Sequence, residues 1–209
     1  MSGQKLRILA LHGYQQDAAS FRSKCGAFRQ KTKSLADYVI IDAPLIIDGD
    51  SKKRGWLYEN VEASASDSPE DPTGLQSSLD AIGDAVVKEG PFDGIFAFSQ
   101  GASLACLLLH FLEKPHPTYK LNPWVNFRFI VCVCGVEPRS HQVATPIEIP
   151  SLHLIGKTDQ VISPERARAF SRLFKNPEIF EYDGGHHVPA SGETGNIIRK
   201  FLTNFLTAK

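Results

Sequence analysis

The chain has 209 residues, enough for one domain with a substantial core. Its 23 Lys and Arg equal its 23 Asp and Glu, and the zero formal charge argues against a nucleic acid or an anionic membrane surface as partner. No apolar run approaches the roughly 18 residues of a membrane span, and the opening MSGQKLRILALHG carries neither a cleavage pattern nor the second-position glycine of a myristoylation signal.

In chain order, the strand-like runs are LRILALHG (6–13), DYVIIDAP (37–44), GIFAFS (94–99), FRFIVCVCG (127–135), SLHLIG (151–156) and EIFEYD (178–183). Most are continuously apolar, as in strands covered on both faces, and the last is mixed enough to suit an edge. Helical patterns fill the gaps. A first helix is expected over 17–34, with Phe21, Cys25 and Phe28 as its apolar face. A second follows a Thr73-x-x-Gln76 capping box and repeats Leu75, Leu79, Ile82 and Val86. The segment from Ser99 to Leu112 is apolar nearly all round and should be the most buried helix. Ser163-Pro164 opens another, with Ala167, Phe170 and Phe174 as its stripe, and Ile197, Ile198, Phe201, Leu202 and Phe205 mark the last. Alternating strands and helices imply an α/β domain with a mostly parallel sheet of about six strands and helices on both faces. Residues 44–73 read as a long loop, expected near the functional edge of the sheet.

The four cysteines, Cys25, Cys106, Cys132 and Cys134, fall mainly in apolar runs and are expected as free buried thiols, which suits a reducing, cytoplasmic compartment.

The chemistry collects where strands end. IFAFSQGASLACLLL sets Ser99 between a strand and a buried helix, with Ala97 two residues before it and Gly101 two after. That is the pattern of a nucleophile elbow, with alanine in the first small position. A serine needs a base, and the base needs an orienting acid. LIGKTDQVI supplies Asp159 just after a strand, and YDGGHHVPA supplies His186 and His187 after the last one. Asp183 is a rival acid, though its position ahead of Gly-Gly suits a turn residue. Backbone N–H groups of Gln100, at the start of the helix, and of Tyr14, in LALHGYQQD, are candidates for an oxyanion hole. His12 is expected to hold that loop, His153 to be a core histidine, and Asp93 to be structural. In RGWLYEN, Trp56 and Tyr58 are either acyl-pocket residues or loop anchors, with Arg54 beside them. Adjacent His186 and His187 with no evident third ligand make a poor metal site.

LALHGYQQ, GPFDGIFAFSQGASLA, LHLIGKTDQVI and GGHHVP together resemble the FSH family of serine hydrolases in the α/β-hydrolase superfamily. The resemblance spans nearly the whole chain. It implies a minimal α/β-hydrolase domain over 1–209 without a large cap domain, a Ser99–Asp159–His186 triad, and hydrolysis of carboxylic esters with no cofactor. The family's G-G-H-x-x-P motif singles out His186 as the base and leaves His187 beside the pocket as a substrate-binding candidate, with Trp56 and Tyr58. Ala97 departs from the family's usual glycine. The expected partner is a small ester substrate. Thioester hydrolysis with the same triad, or a non-catalytic scaffold, are the alternatives.

Overall fold

Leu6–Leu11 (β1) sends alternate side chains into two separate apolar layers: Leu9 and Leu11 into one, Ile8 and Ala10 into the other. A strand buried on both faces needs apolar residues at every position, and that is the physical origin of the continuous runs in the sequence. The computed structural model describes residues 4–58, 73–139 and 141–206. In it, β1 joins Ala36–Ile41 (β2), Gly94–Phe98 (β5), Phe129–Val133 (β6), Ser151–Gly156 (β7) and Glu178–Tyr182 (β8) in one sheet of order β2-β1-β5-β6-β7-β8. Every pairing in this sheet is parallel. The mixed run at 178–183 is indeed an edge.

One face is covered by the helices Ala18–Lys24 (α1), Gly26–Thr32 (α2) and Gly192–Thr203 (α6), through Phe21, Phe28, Ile198, Phe201 and Leu202. The other is covered by Leu75–Glu89 (α3) and Gln100–Glu113 (α4), with Phe170 from Pro164–Ser171 (α5) and Phe174 just beyond it. Residues 100–111 of α4 are all buried, as its all-round apolar character demanded.

Three local expectations need correction. The single helix expected over 17–34 is two, because the backbone leaves helical geometry at Cys25 (φ −94°, ψ 11°), just before Gly26. The change of axis brings both Phe21 and Phe28 onto Phe96, with ring centroids 5.9 and 4.4 Å away. The capping box at α3 does not form. Gly74 takes the cap position at φ 71°, and Gln76 instead exchanges hydrogen bonds with the backbone of Lys120. The loop expected over 44–73 contains an antiparallel hairpin, Leu45–Ile47 (β3) and Asp50–Gly55 (β4), turning at Asp48-Gly49 with both residues at positive φ. The acidic remainder of that segment, 59–72, lies outside the described residues.

Candidate active site

Ser99 stands between β5 and α4 with φ 52° and ψ −119°, a conformation that costs an L-residue about 1–3 kcal/mol and marks a forced turn. Its own N–H is tied to Val133 O (2.9 Å) on β6. The turn is tight enough that a Cβ on Gly101 would lie 2.6 Å from His12 O and 2.7 Å from Leu11 O, so glycine is required there. Ala97 imposes no such conflict. It is fully buried beside Leu11 of β1, and its methyl is part of the core.

The hydroxyl of Ser99 lies 3.0 Å from His186 Nε2, and His186 Nδ1 lies 2.7 Å from Asp159 Oδ2. Asp159 Oδ1 accepts the N–H groups of Val161 (2.8 Å) and Ile162 (2.9 Å), so both carboxylate oxygens are engaged. Burial alone would raise this carboxyl. The Ile162 N–H, His186 and the Val161 N–H outweigh it, and Asp159 is held below the usual carboxylate range. Since the carboxylate accepts, Nδ1 carries the proton and Nε2 is free to accept from the serine. The imidazole leans on Phe98, ring centroids 4.9 Å apart. Asp183, the rival acid, is exposed and pairs with Lys157 (2.8 Å).

These groups open into a cavity of about 360 Å³. Gly13, Tyr14 and Gln100 line it next to Ser99, and Leu57, Tyr58, Phe98, Val136, Val161 and Ile162 supply an apolar wall. Tyr58 thus lines the cavity; Trp56 and His187 do not, and Trp56 takes the anchoring place that was its alternative. Trp56 is fully buried off the cavity, its indole N–H donating to His12 O (2.8 Å). It anchors the strap on which Leu57 and Tyr58 reach the cavity. His187 points away from the serine and lines a separate polar groove with Tyr182 and Asp183. Adjacent residues on a turn project to different sides, so only one of the two histidines faces Ser99. Arg54 also lies off the cavity, donating to Ala43 O (3.1 Å).

His12 holds the loop after β1. Its Nε2 accepts from Ala43 N–H (3.0 Å), so its Nδ1 carries a proton and donates to Gly13 O (2.8 Å). Asp93 is structural, accepting Arg7 N–H (2.8 Å) and pairing with Arg128 (3.1 Å). His153 is a core histidine.

Two contributors escape sequence reading. The side chain of Gln100 accepts from Trp56 N–H and donates to Leu57 O, both at 2.8 Å, which clamps the strap to the elbow. Ser103, one helical turn after Ser99, donates to Val136 O (2.7 Å) and fixes the opposite wall. The helical spacing of Ser103 from Ser99 is a signal for the second; no residue pattern marks the first.

Cys134, Asp159 and His186 hold potential metal-ligand atoms within 4.8 Å of one another. Those atoms are already engaged within the protein: His186 with Asp159, Asp159 with two N–H groups, and Cys134 Sγ with the Tyr182 hydroxyl (3.1 Å). Burial also pushes the Cys134 thiol up to about 12, which keeps it protonated and a poor ligand.

A model of the family described as serine hydrolase (FSH1) matches residues 1–197. Esterase OVCA2 of Xenopus tropicalis is 36% identical, over 97% of this chain and 94% of that protein. The Homo sapiens Esterase OVCA2 is 31% identical, over 98% and 99%. Among solved structures, Zea mays acyl-protein thioesterase 2 superposes with a TM-score of 0.67 at 21% identity, covering 98% of this chain and 95% of that one. A carboxylesterase from Mesorhizobium loti gives 0.66 at 17% identity, covering 96% and 89%. At those identities the structural likeness speaks to the α/β-hydrolase fold alone. Sequence likeness along almost the entire chain goes further, and bears out the resemblance read from the motifs: the chain belongs to the FSH1 family of serine hydrolases.

Proposed function

We propose that the protein is a serine esterase that cleaves carboxylic esters through Ser99, His186 and Asp159. The observation that carries this reading is the continuous chain of contacts from Ser99 Oγ to His186 (3.0 Å) and from His186 to Asp159 (2.7 Å), open to a cavity. Ser99 Oγ attacks the ester carbonyl while His186 Nε2 takes its proton. Asp159 holds the imidazole in the Nδ1–H tautomer and stabilises the imidazolium that forms. The N–H groups of Tyr14 and Gln100 receive the oxyanion. His186 then protonates the leaving alcohol, and water, deprotonated by the same imidazole, cleaves the acyl-enzyme. Every proton in the cycle moves through Nε2, so the chemistry is complete without a cofactor.

The lining supports an alkyl or fatty-acyl ester, with Gln16, Glu137, Arg139 and Arg166 as its polar part. Leu57, Phe98, Val136, Val161 and Ile162 offer apolar contact to an alkyl acyl chain. The volume stands near the lower end of small-molecule sites, roughly 300–1,000 Å³, and favours short to medium chains. The test is hydrolysis of p-nitrophenyl esters of increasing acyl length by wild type and Ser99→Ala. Turnover by wild type, with the variant at background, is expected. Equal rates would sink the assignment of Ser99. Matched oxygen and thiol esters then measure leaving-group preference.

A further inference from the structure

His186 rides on a short turn after β8, and the turn is held from within. His187 N–H donates to Gly185 O (2.9 Å), closing a three-residue loop with His186 at its centre. The Tyr182 hydroxyl lies 2.8 Å from Gly185 O and 2.7 Å from His187 O. Its proton is thus shared between the carbonyls of the residues before and after His186. Cys134 Sγ lies 3.1 Å from the phenol oxygen and 4.0 Å from each of those carbonyl oxygens, and with the hydroxyl proton directed at the carbonyls the thiol is the donor in this cluster. The base of the turn is fixed to the strand beside it, through Lys157 N–H to Tyr182 O and Thr158 N–H to Gly184 O, both 3.0 Å. Gly156 makes room for this docking: a Cβ there would lie 2.6 Å from Gly185 O.

We propose that Tyr182 is a positioning residue for His186, its hydroxyl fixing the Gly185–His186 peptide plane directly and, through His187 O, bracing the chain just beyond it, so that the imidazole is set between Ser99 and Asp159. This rests on the triad reading given above. A rotation of the Gly185–His186 plane carries Nε2 away from the serine, and a misplacement of about 1 Å is enough to cost on the order of 100-fold in rate. Tyr182 is buried, and burial raises its hydroxyl above the ordinary tyrosine range, so it remains a donor at any working pH.

The experiment is Tyr182→Phe, which removes one oxygen and keeps the ring, assayed for kcat, KM and thermal midpoint, alone and combined with His186→Ala. The expected result is a kcat lowered about 10- to 100-fold, with KM little changed and the fold retained. In the His186→Ala background the second substitution should cost nothing further, because the group it positions is gone. Wild-type kcat in Tyr182→Phe beside an inactive His186→Ala overturns the positioning role and leaves the triad standing. An equal further loss in the His186→Ala background overturns it too, since the tyrosine would then act elsewhere. Full activity in His186→Ala overturns both readings. Cys134→Ala guards against a mere packing effect. It leaves both tyrosine–carbonyl bonds intact, removing only the thiol's long contacts (4.0 Å) with the same two oxygens, and should keep kcat near wild type, and a loss matching that of Tyr182→Phe would overturn the proposal.

Discussion

A serine hydroxyl is a weak nucleophile, and in the proposed triad what Ser99 gains comes from groups that are themselves held. Asp159 is the clearest case. Both of its oxygens are occupied, one by two backbone N–H groups and the other by His186. Asp159→Asn keeps the shape but presents an N–H or a neutral oxygen to the imidazole, which favours the wrong tautomer. The expected outcome is a kcat reduced by about 10⁴-fold with KM little changed, read from steady-state kinetics at neutral pH. The same residue carries a pH signature. Its folded pKa lies below its unfolded one, so its charge stabilises the fold at neutral pH, and this contribution is lost as pH falls through the folded value. Thermal midpoints of wild type and Asp159→Asn should therefore converge on acidification. The placing of Ser99, Asp159 and His186 together was legible in the sequence because each lies within four residues of the end of a strand, on the same edge of the sheet. Gln100 and Tyr182 act through side-chain bonds to backbone that lies distant in sequence or bent back on itself, and no residue pattern announces those.

At the scale of elements, legibility followed burial. The six sheet strands and α4 stood out because layers on both sides force apolar runs. The hairpin β3–β4 was hidden because most of β4 is polar and half of it exposed, and Asp48-Gly49 was its one available signal. Strand β7 carries a less visible consequence. His153 lies in it, 2% exposed, edge-on to Phe174 (4.9 Å) and Phe170 (5.6 Å). Its Nε2 meets Ser151 Oγ (3.0 Å), and its Nδ1 has no hydrogen-bond partner among the described residues. Burial lowers its pKa to about 3. The unfolded chain takes up a proton near pH 6.5 while the folded one does not, so acidification favours unfolding throughout that interval. One such group contributes a slope of about 1.4 kcal/mol per pH unit. His153→Gln keeps a partner for Ser151 and cannot titrate. Denaturant unfolding between pH 7 and pH 4 should show a shallower loss of stability in the variant. Identical slopes would mean that His153 is protonated in the fold.

At the largest scale, two large apolar layers share the six-stranded sheet, and the four cysteines report on both. Cys25 and Cys134 belong to the layer under α1, α2 and α6, and Cys106 and Cys132 to the layer under α3 and α4. All four are free and essentially inaccessible, and burial raises every one of their thiols above the ordinary range. Thiolate is the reactive form, so a thiol reagent should find nothing to modify in the native protein. Raising urea below the unfolding midpoint then separates local from global opening. Cys132 in β6 lies near the middle of the sheet, and Cys106 lies in the most buried helix, so neither can be reached without dismantling the core. Cys25 sits at the joint between two helices of seven residues each, too short to persist alone, packed beside the edge strand β2. Site-resolved alkylation, read by mass spectrometry, should therefore give Cys25 a smaller opening free energy than Cys106 and Cys132, whose values should equal that of global unfolding. Equal values for all of them would show instead that α1 and α2 open only when the sheet does, and that the two layers form one cooperative unit.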